Sequence, residues 1–281
     1  MFTNIINSKL RGGWMKYDIF SSSTVGYKNK LKNKGSQDYL IYKKMENGVI
    51  CAIGDGHGIR RCKYSYKGSE FACNACIDIL TDLYNNIKNL DEDNLETVIK
   101  ELKENKSIEK SIQKKWREYV IDHFKTKIPN VYDIDYVLYG TTLIGVLVTN
   151  NIKLYLQIGD GNIVEYGNEF NLVEYTKESK VKGVLNSMYL DDAYKYIDLK
   201  IEKVNKLDVD SIVLFSDGFT NSFRTYKDLD DNLKYTINQY RKNVFTKYNL
   251  KKTYKKYLET LSTNNSKDDI SIVFILQTTL K

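Results

Sequence analysis

The chain has 281 residues, of which 42% are hydrophobic, a formal charge of +7 and a single proline, Pro129. This length suits one large domain or two small ones, and the lone proline argues against proline-rich linkers. No apolar run reaches the ~18 residues that a membrane-spanning helix needs. The basic residues are spread along the sequence, which indicates a lysine-rich solvated surface rather than a nucleic-acid site.

Apolar runs bounded by turn residues predict a series of β-strands, and the pair Asn47-Gly48 predicts the tight turn of a hairpin. The predicted strands cover residues 15–24, 38–44, 48–53, 141–149, 153–158, 163–166, 170–175, 196–204, 211–215 and 270–277. Apolar residues at helical spacing predict helices over 68–89, 94–127 and 220–261. Polar, irregular stretches are predicted over 25–37 and 176–192.

The order of these elements is strands, helices, more strands, helices and a last strand. Antiparallel strands with helices kept in separate blocks indicate an α+β fold. No internal repeat or domain boundary is visible, so we expect a single domain over 15–281. The preceding extension, over 1–14, lacks the apolar core of a signal peptide and is a candidate for disorder.

The four cysteines are Cys51, Cys62, Cys73 and Cys76. The pair Cys73 and Cys76 has no second cysteine or histidine pair at zinc-finger spacing. Because this pair lies in a predicted helix, we expect ordinary buried thiols. Unpaired cysteines are typical of a reducing compartment, so the expected location is cytoplasmic.

Acidic residues next to glycine or serine stand at the ends of several predicted strands. They are Asp55 in Gly54-Asp55-Gly56-His57-Gly58, Asp160 in Gly159-Asp160-Gly161, Asp217 in Ser216-Asp217-Gly218, and Asp268 in Lys267-Asp268-Asp269. Carboxylates that converge at one sheet edge repel one another unless a cation lies between them. Hard cations such as Mg²⁺ and Mn²⁺ suit these oxygen ligands. Each aspartate alone could equally be a turn residue, but the ordered set favours a metal site.

The ordered set resembles the metal-dependent serine/threonine protein phosphatases of the PP2C type, the PPM family, in their bacterial form. The motifs behind this resemblance also include Ser36-Gln37-Asp38, Gly140-Thr141-Thr142 and Asp268-Asp269-Ile270-Ser271. It extends over about residues 17–276. The resemblance implies a PP2C-like four-layer α/β/β/α sandwich, in which two antiparallel sheets are flanked by helices and the metals lie at one end.

The resemblance also implies roles for individual residues around two Mn²⁺ or Mg²⁺ ions, with a third, weaker ion as an option. Asp55 would bridge two metals, and the Gly56 carbonyl would bind the second. Asp217 and Asp268 would complete the first metal. Further metal contacts are implied for Asp38, directly or through a metal-bound water, and for Asp160 at the third ion.

The two histidines have different expected roles. The resemblance implies that His57 is catalytic, as the general acid toward the leaving alkoxide, and an imidazole with a pKa near 6.5 suits that task. His123 lies on the apolar face of a predicted helix, which favours a structural role.

The sequence departs from the family pattern in its basic residues. Family members often carry an upstream arginine that grips the substrate phosphate, and the matching loop here contains lysines and no arginine. Lysine binds phosphate as a point charge, so we take Lys32, Lys34 and Arg60 as candidates for the substrate phosphate. Gln37 also replaces the glutamate that many members have at that position.

The function implied by the resemblance is hydrolysis of phosphoserine and phosphothreonine on proteins by a water activated between two metals. The expected partner is a phosphorylated protein, either a serine/threonine kinase or its targets, in a signalling pathway. We expect a monomer that binds neither nucleic acid nor a membrane. Two alternatives stay open: a non-catalytic module that binds a phosphopeptide or partner, and a phosphatase that acts on a small phosphate ester.

Overall fold

The computed structural model of the protein describes residues 16–127, 133–167, 172–174, 186–204 and 210–278. The strands in these ranges are β1 (Lys16–Thr24), β2 (Asp38–Met45), β3 (Gly48–Asp55), β4 (Leu143–Thr149), β5 (Ile152–Ile158), β6 (Asn162–Tyr166), β7 (Leu172–Glu174), β8 (Asp198–Lys203), β9 (Ser211–Phe215) and β10 (Ile270–Thr278). Every predicted strand is therefore found: β9 has the predicted ends, and the other strands are shifted at one or both ends. The predicted extension over 1–14 lies outside the described residues.

The helices are α1 (Tyr27–Leu31), α2 (Ser65–Ile87), α3 (Glu92–Asn105), α4 (Ser107–Lys127), α5 (Ala193–Tyr196), α6 (Asp217–Thr220), α7 (Tyr226–Lys242) and α8 (Val244–Leu261). A 3₁₀ turn covers Tyr136–Tyr139, and a π-helical turn extends α8 over Ser262–Ser266. No described helix is long and apolar enough to cross a lipid bilayer.

The strands form two antiparallel sheets of five strands each. One has the order β1-β10-β9-β6-β7, and the other has the order β2-β3-β4-β5-β8. The β2–β3 hairpin runs in register from Asp38 opposite Asp55 to Met45 opposite Gly48. The antiparallel pairing confirms the predicted α+β class.

Three buried clusters define four layers. Aliphatic residues of both sheets, such as Val146, Leu214 and Val273, fill the space between the sheets. Helices α2, α3 and α4 cover the outer face of the second sheet around Trp116, and α7 and α8 cover the first sheet around Leu233. The predicted α/β/β/α sandwich is thus confirmed, and the four cysteines are free and buried, as expected.

A buried ion pair also ties the two sheets together. The Lys153 ammonium group on β5 donates to both carboxylate oxygens of Glu165 on β6, at 2.7 and 2.9 Å, and the Tyr155 hydroxyl donates to the same carboxylate at 2.7 Å. The Glu165 side chain is only 1% exposed. Because removing one partner would leave a buried charge uncompensated, this cluster fixes how one sheet lies on the other.

The helix predictions were wrong in two places, where a helix predicted as continuous is interrupted, and in one predicted loop that contains a helix. The single helix predicted over 94–127 is two helices, because Lys106 has φ of 53° and the Asn105 side chain accepts a hydrogen bond from the Ser107 amide at 2.8 Å. The helix predicted over 220–261 is likewise interrupted at Asn243, whose side chain caps α8. Within the predicted loop over 25–37 the chain forms the short helix α1.

Helix α2 approaches the 3₁₀ turn so closely that only glycine fits at Gly68. A Cβ atom there would lie 1.9 Å from the carbonyl oxygen of Tyr139. The Gly68 carbonyl also accepts a hydrogen bond from the Trp116 indole at 3.1 Å. This contact matters for the site, because Gly140 follows that turn directly.

We expect the Gly68→Ala variant to be less stable than the wild type by about 2 kcal/mol, within the usual cost of overpacking a core. Urea unfolding followed by circular dichroism measures this loss. Gly35→Ala is the stability control, since a Cβ at Gly35 meets nothing within 4 Å. An unchanged midpoint in Gly68→Ala would contradict the packing described here.

Candidate functional site

Aspartates from both sheets meet at one end of the sandwich. Asp38 begins β2 and Asp55 ends β3, and the two are direct cross-strand neighbours. Four more aspartates border a cavity of about 170 Å³ together with Asp55: one follows β5, one follows β9 and two precede β10. This aspartate cavity is lined by Gln37, Asp55, Gly56, His57, Gly58, Thr142, Asp160, Asp217, Asp268 and Asp269. The structure thus brings the predicted metal-binding aspartates together, and the half-buried Asp38 is next to Asp55 across the hairpin but does not line the cavity.

The backbone of Asp55 is held by two threonines. The Thr142 hydroxyl accepts a hydrogen bond from the Asp55 amide at 3.2 Å, and the Thr142 amide donates to the Asp55 carbonyl at 2.9 Å. The Thr141 hydroxyl donates to the same carbonyl at 2.9 Å. The Gly140-Thr141-Thr142 segment therefore fixes the position of Asp55.

Ser216 connects two of the aspartate motifs. Its hydroxyl donates to Oδ2 of Asp38 at 2.8 Å and accepts from the Ser271 amide at 3.0 Å. The next residue, Asp217, opens α6 and accepts a hydrogen bond from the Asn221 side chain at 3.1 Å. Since β2, β9 and β10 meet through these bonds, the two sheets share one acidic edge.

The carboxylate of Asp269 is engaged by the protein itself. It accepts hydrogen bonds from the Gly26 amide at 2.5 Å, from the Asn29 side chain at 3.0 Å and from the Gln37 amide at 2.7 Å. These bonds anchor the loop before β2. Asp269 is therefore a structural partner of that loop, although it borders the cavity.

Gly56 lies where no side chain fits. Its amide donates to the Gln37 carbonyl at 3.1 Å, and a Cβ atom would lie 2.7 Å from the Ser65 carbonyl oxygen. The Gln37 side chain donates to the Ser65 hydroxyl at 2.5 Å and to the His57 carbonyl at 3.3 Å. Gln37 thus supports the backbone of the motif that follows Asp55.

The gathered carboxyl groups have raised pKa values. Burial, and then the charge of Asp269, raises the pKa of Asp38 to about 8. Burial, the charges of Asp38 and Asp217 and a hydrogen bond to Asp217 raise the pKa of Asp55 well above its usual range. Burial and Asp217 raise the pKa of Asp160 to about 6. Two carboxyl groups can share a hydrogen bond only when one is protonated, so this edge favours bound positive charge.

The donor set fits hard divalent cations. The Oδ1 atom of Asp38 is buried and has no hydrogen-bond partner in the described structure, as expected of an oxygen reserved for another ligand. Within the described ranges, no group of three or more His, Cys, Asp or Glu side chains is already arranged to hold a metal ion. The case for Mg²⁺ or Mn²⁺ therefore rests on donor chemistry, since the cavity is lined by carboxylate oxygens, which hard divalent cations prefer.

His57 is held in one orientation by Ser187. Its Nε2 atom lies 2.8 Å from the Ser187 hydroxyl, which donates to the Thr141 carbonyl at 3.0 Å. If the hydroxyl proton is used there, the matching tautomer of His57 carries its proton on Nε2. Its Cδ2 edge faces Gly140, and the ring meets Tyr189 edge to face. Nδ1, across the ring from Cδ2, has no hydrogen-bond partner among the described residues.

Sequence reasoning missed Ser187. It lies in the second half of the stretch predicted as irregular over 176–192, of which residues 176–185 lie outside the described ranges. Nothing in the local sequence distinguishes this serine from other loop serines, since its role depends on contacts with Thr141 and His57.

His123 has the structural role expected for it. Its Nδ1 atom is hydrogen-bonded to the Tyr139 hydroxyl at 2.7 Å. Its ring also packs against Tyr64 and Phe71. These contacts place it outside the aspartate cavity.

The basic residues predicted to grip phosphate do not border the aspartate cavity. Lys34 and Arg60 line a second cavity next to it, of about 610 Å³, and Lys32 lies at the end of α1, outside both linings. Lys28 comes within 3.8 Å of Asp268. No lysine or arginine among the described residues lines the aspartate cavity itself.

The sequence was compared with protein-family models and with curated proteins. The family model described as protein phosphatase 2C matches residues 25–259. No curated protein sequence matches this chain.

Solved structures with the same fold include several phosphatases. A bacterial serine phosphatase is 16% identical with a TM-score of 0.59, and the match covers 95% of this chain and 99% of that one. The catalytic domain of the serine/threonine phosphatase PstP, solved with two manganese ions, is 14% identical with a TM-score of 0.55, covering 94% and 100%. The phosphatase Stp1 from Staphylococcus aureus is 15% identical with a TM-score of 0.53, covering 94% and 96%.

Proposed function

We propose that this chain, which belongs to the protein phosphatase 2C family, hydrolyses phosphoserine and phosphothreonine in proteins with the help of Mn²⁺ or Mg²⁺. The observation that carries this proposal is the convergence of carboxylates from both sheets on one small cavity. Phosphate monoesters hydrolyse extremely slowly unaided, and a cluster of ionised acids without bound cations would only repel the phosphate.

Each acidic residue has a proposed task toward the ions. Asp55 would bridge two ions, with the Gly56 carbonyl on one of them and Asp217 and Asp268 on the other. Bound divalent cations lower the pKa of coordinated water and offset charge on the phosphoryl oxygens. The manganese in the PstP catalytic domain supports this assignment.

Two further aspartates have weaker assignments. Asp38 would orient water at the first ion through its free Oδ1 atom. Asp160, which also borders the cavity, would serve a third, weaker ion.

His57 is proposed to protonate the leaving alkoxide. With Nε2 hydrogen-bonded to Ser187, the transferred proton would come from Nδ1. The neutral ring left behind would then keep its proton on Nε2, facing Ser187. Burial lowers the pKa of His57 to about 4, so the ring of the free protein is neutral at pH 7. The negative charge of a bound phosphate monoester would raise this pKa, because an opposite charge favours the charged form.

The Ser187→Ala variant is expected to lose roughly tenfold in kcat on a phosphothreonine peptide, a part of the 10²–10⁴ that general acids contribute. The loss should be much smaller with p-nitrophenyl phosphate, whose phenolate leaves without a proton. Steady-state kinetics on both substrates measure the difference. Equal losses on both substrates would mean that Ser187 only maintains the fold, and no loss on either would remove it from the mechanism.

The proposed partner is a phosphorylated protein in a signalling pathway, either a serine/threonine kinase or one of its targets. The chain is proposed to act in the cytoplasm as a monomer. The free, buried cysteines fit a reducing compartment.

Phosphate release by the purified protein tests the proposal, with phosphothreonine and phosphoserine peptides beside p-nitrophenyl phosphate as a small ester. We expect turnover of the peptides in Mn²⁺ or Mg²⁺ and none in excess chelator. Tight peptide binding without turnover in any metal would favour the binding-module alternative. Turnover of the small ester alone would favour the small-ester alternative.

A further inference from the structure

The larger cavity beside the site has its own chemical character. It measures about 610 Å³ and shares the lining residues Gln37 and Gly58 with the aspartate cavity, so the two adjoin. Its lining contains Lys34, Arg60 and Lys63 and no carboxylate. We call it the basic cavity. The aspartate cavity has the opposite composition, since no described cation lines it.

The cations of the basic cavity are unpaired, unlike their neighbours. None of the three forms an ion pair with a described residue, whereas Arg61 lies 3.6 Å from Asp135 and Lys67 lies 2.7 Å from Glu70. Unpaired cations around a concave surface attract anions, because the surrounding protein concentrates their field.

The cavity wall also exposes large apolar side chains. Ile59 is 62% exposed and Tyr66 is 44% exposed, and both line it. The buried thiol of Cys62 lies in the same lining. An occupant that covers these groups and supplies an anion would therefore match the cavity, and a peptide chain with an acidic side chain meets both requirements.

The position of the cavity relates it to the reacting phosphate. In an extended peptide, neighbouring Cα atoms are about 3.8 Å apart and side chains two residues apart lie on the same face. With the phosphorylated residue in the aspartate cavity, a residue one or two positions away would reach the adjoining basic cavity.

We propose that the basic cavity binds an anionic side chain located within two residues of the phosphorylated serine or threonine of the substrate. This inference rests on the proposed function and specifies the substrates that the site takes. The anion is a carboxylate or a second phosphate, since both accept charge-assisted hydrogen bonds from lysine and arginine.

Matched phosphothreonine peptides test the proposal. One series carries alanine or glutamate at each of the two positions before and after the phosphothreonine, and a second carries phosphoserine there. We expect kcat/KM to rise by roughly five- to tenfold for an anion at one of these positions, consistent with a hydrogen bond to a charged group. The preference should shrink in ~0.5 M salt, where exposed charges are screened.

Variants of the basic cavity show whether its cations cause the preference for an anionic side chain. In Arg60→Gln combined with Lys63→Gln, the ratio of kcat/KM for the acidic peptide to that for the alanine peptide should fall toward one. Arg61→Gln is the matched control, because Arg61 adjoins Arg60 in sequence but does not line the cavity, and the ratio should persist there. Comparing the glutamate and phosphoserine series shows which anion the cavity takes.

The outcomes separate the two hypotheses. Turnover without any anion preference, or a preference that survives the Arg60 and Lys63 substitutions, would overturn this inference and leave the proposed function intact. Failure to hydrolyse every peptide would overturn the proposed function and this inference together. A preference lost only in the Arg60 and Lys63 variant supports both.

Discussion

Replacing Asp55 with asparagine is expected to lower metal-dependent phosphate release by roughly a thousandfold or more, because a lost contribution of about 4 kcal/mol corresponds to that factor. Asp55 lines the aspartate cavity, and its backbone is fixed by Thr141 and Thr142. Asparagine keeps the shape of the side chain but removes the charge that would bridge two cations. Phosphate release from a phosphothreonine peptide in saturating Mn²⁺ measures the loss.

The fold of this variant should survive. In the metal-free protein, burial and the charges of Asp38 and Asp217 disfavour the ionised form of Asp55, so a neutral asparagine there should not lower the metal-free melting temperature. Asp191→Asn is the control, since the Asp191 side chain is fully exposed and lies outside the cavity lining. If Asp55→Asn retained more than about a tenth of wild-type turnover, a bridging role for Asp55 would be excluded.

The metal-free protein is expected to become more stable as the pH falls from 8.5 to 6.5. The pKa of Asp38 is raised to about 8 and that of Asp55 well above its usual range, so the folded protein holds protons that the unfolded chain has released. Stability therefore falls as pH rises through this window. The window ends at pH 6.5 because His57 has the opposite effect below that pH. Burial lowers the pKa of His57 to about 4, so the unfolded chain takes up this proton first and the folded protein loses stability as the pH falls.

If the folded protein holds one more proton than the unfolded chain over most of this window, its free energy of unfolding changes by about 2 kcal/mol, at 1.36 kcal/mol for each pH unit. In a large domain this corresponds to about 5 °C, since 1 kcal/mol shifts the melting temperature by roughly 2–4 °C. Bound Mn²⁺ or Mg²⁺ should remove the slope, because the cation replaces the protons, and should stabilise the protein most at pH 8.5. Melting curves in chelator and in metal, recorded at several pH values, measure both effects.

A matched pair of variants shows whether Asp38 causes the pH dependence of the metal-free melting temperature. Asp38→Asn should flatten part of it, and Asp191→Asn should leave it unchanged. A metal-free melting temperature that stays level or increases from pH 6.5 to 8.5 would show that the carboxylates are not crowded as described.

The strands and the aspartates at their ends could be predicted from sequence because both follow from local patterns. A continuous apolar run such as the one before Asp55 has to be a buried strand, and the glycines after it mark where the strand stops. Asp217 follows β9 in the same way. What the pattern could not show is that these strand ends meet, and here the family resemblance supplied the missing long-range information.

Other parts of the structure depend on contacts that leave no local trace. The break at Lys106 comes from a left-handed residue in a sequence of good helix formers. The role of Ser187 depends on Thr141 and His57, which are far from it in the chain. Lys34 and Arg60, predicted as ligands of the substrate phosphate, line the adjoining basic cavity rather than the aspartate cavity, and their binding of phosphate stays a prediction.

The most direct test of the central claim is phosphate release from a phosphothreonine peptide as free Mn²⁺ is raised from chelator conditions to ~1 mM, a level that populates weak hard-cation sites, with Asp217→Asn measured beside the wild type. The proposal predicts turnover that appears with the metal and is lost in Asp217→Asn, while circular dichroism shows both proteins folded. Turnover that persists in chelator, or an equal rate in the variant, would contradict a metal-dependent phosphatase built on this acidic edge.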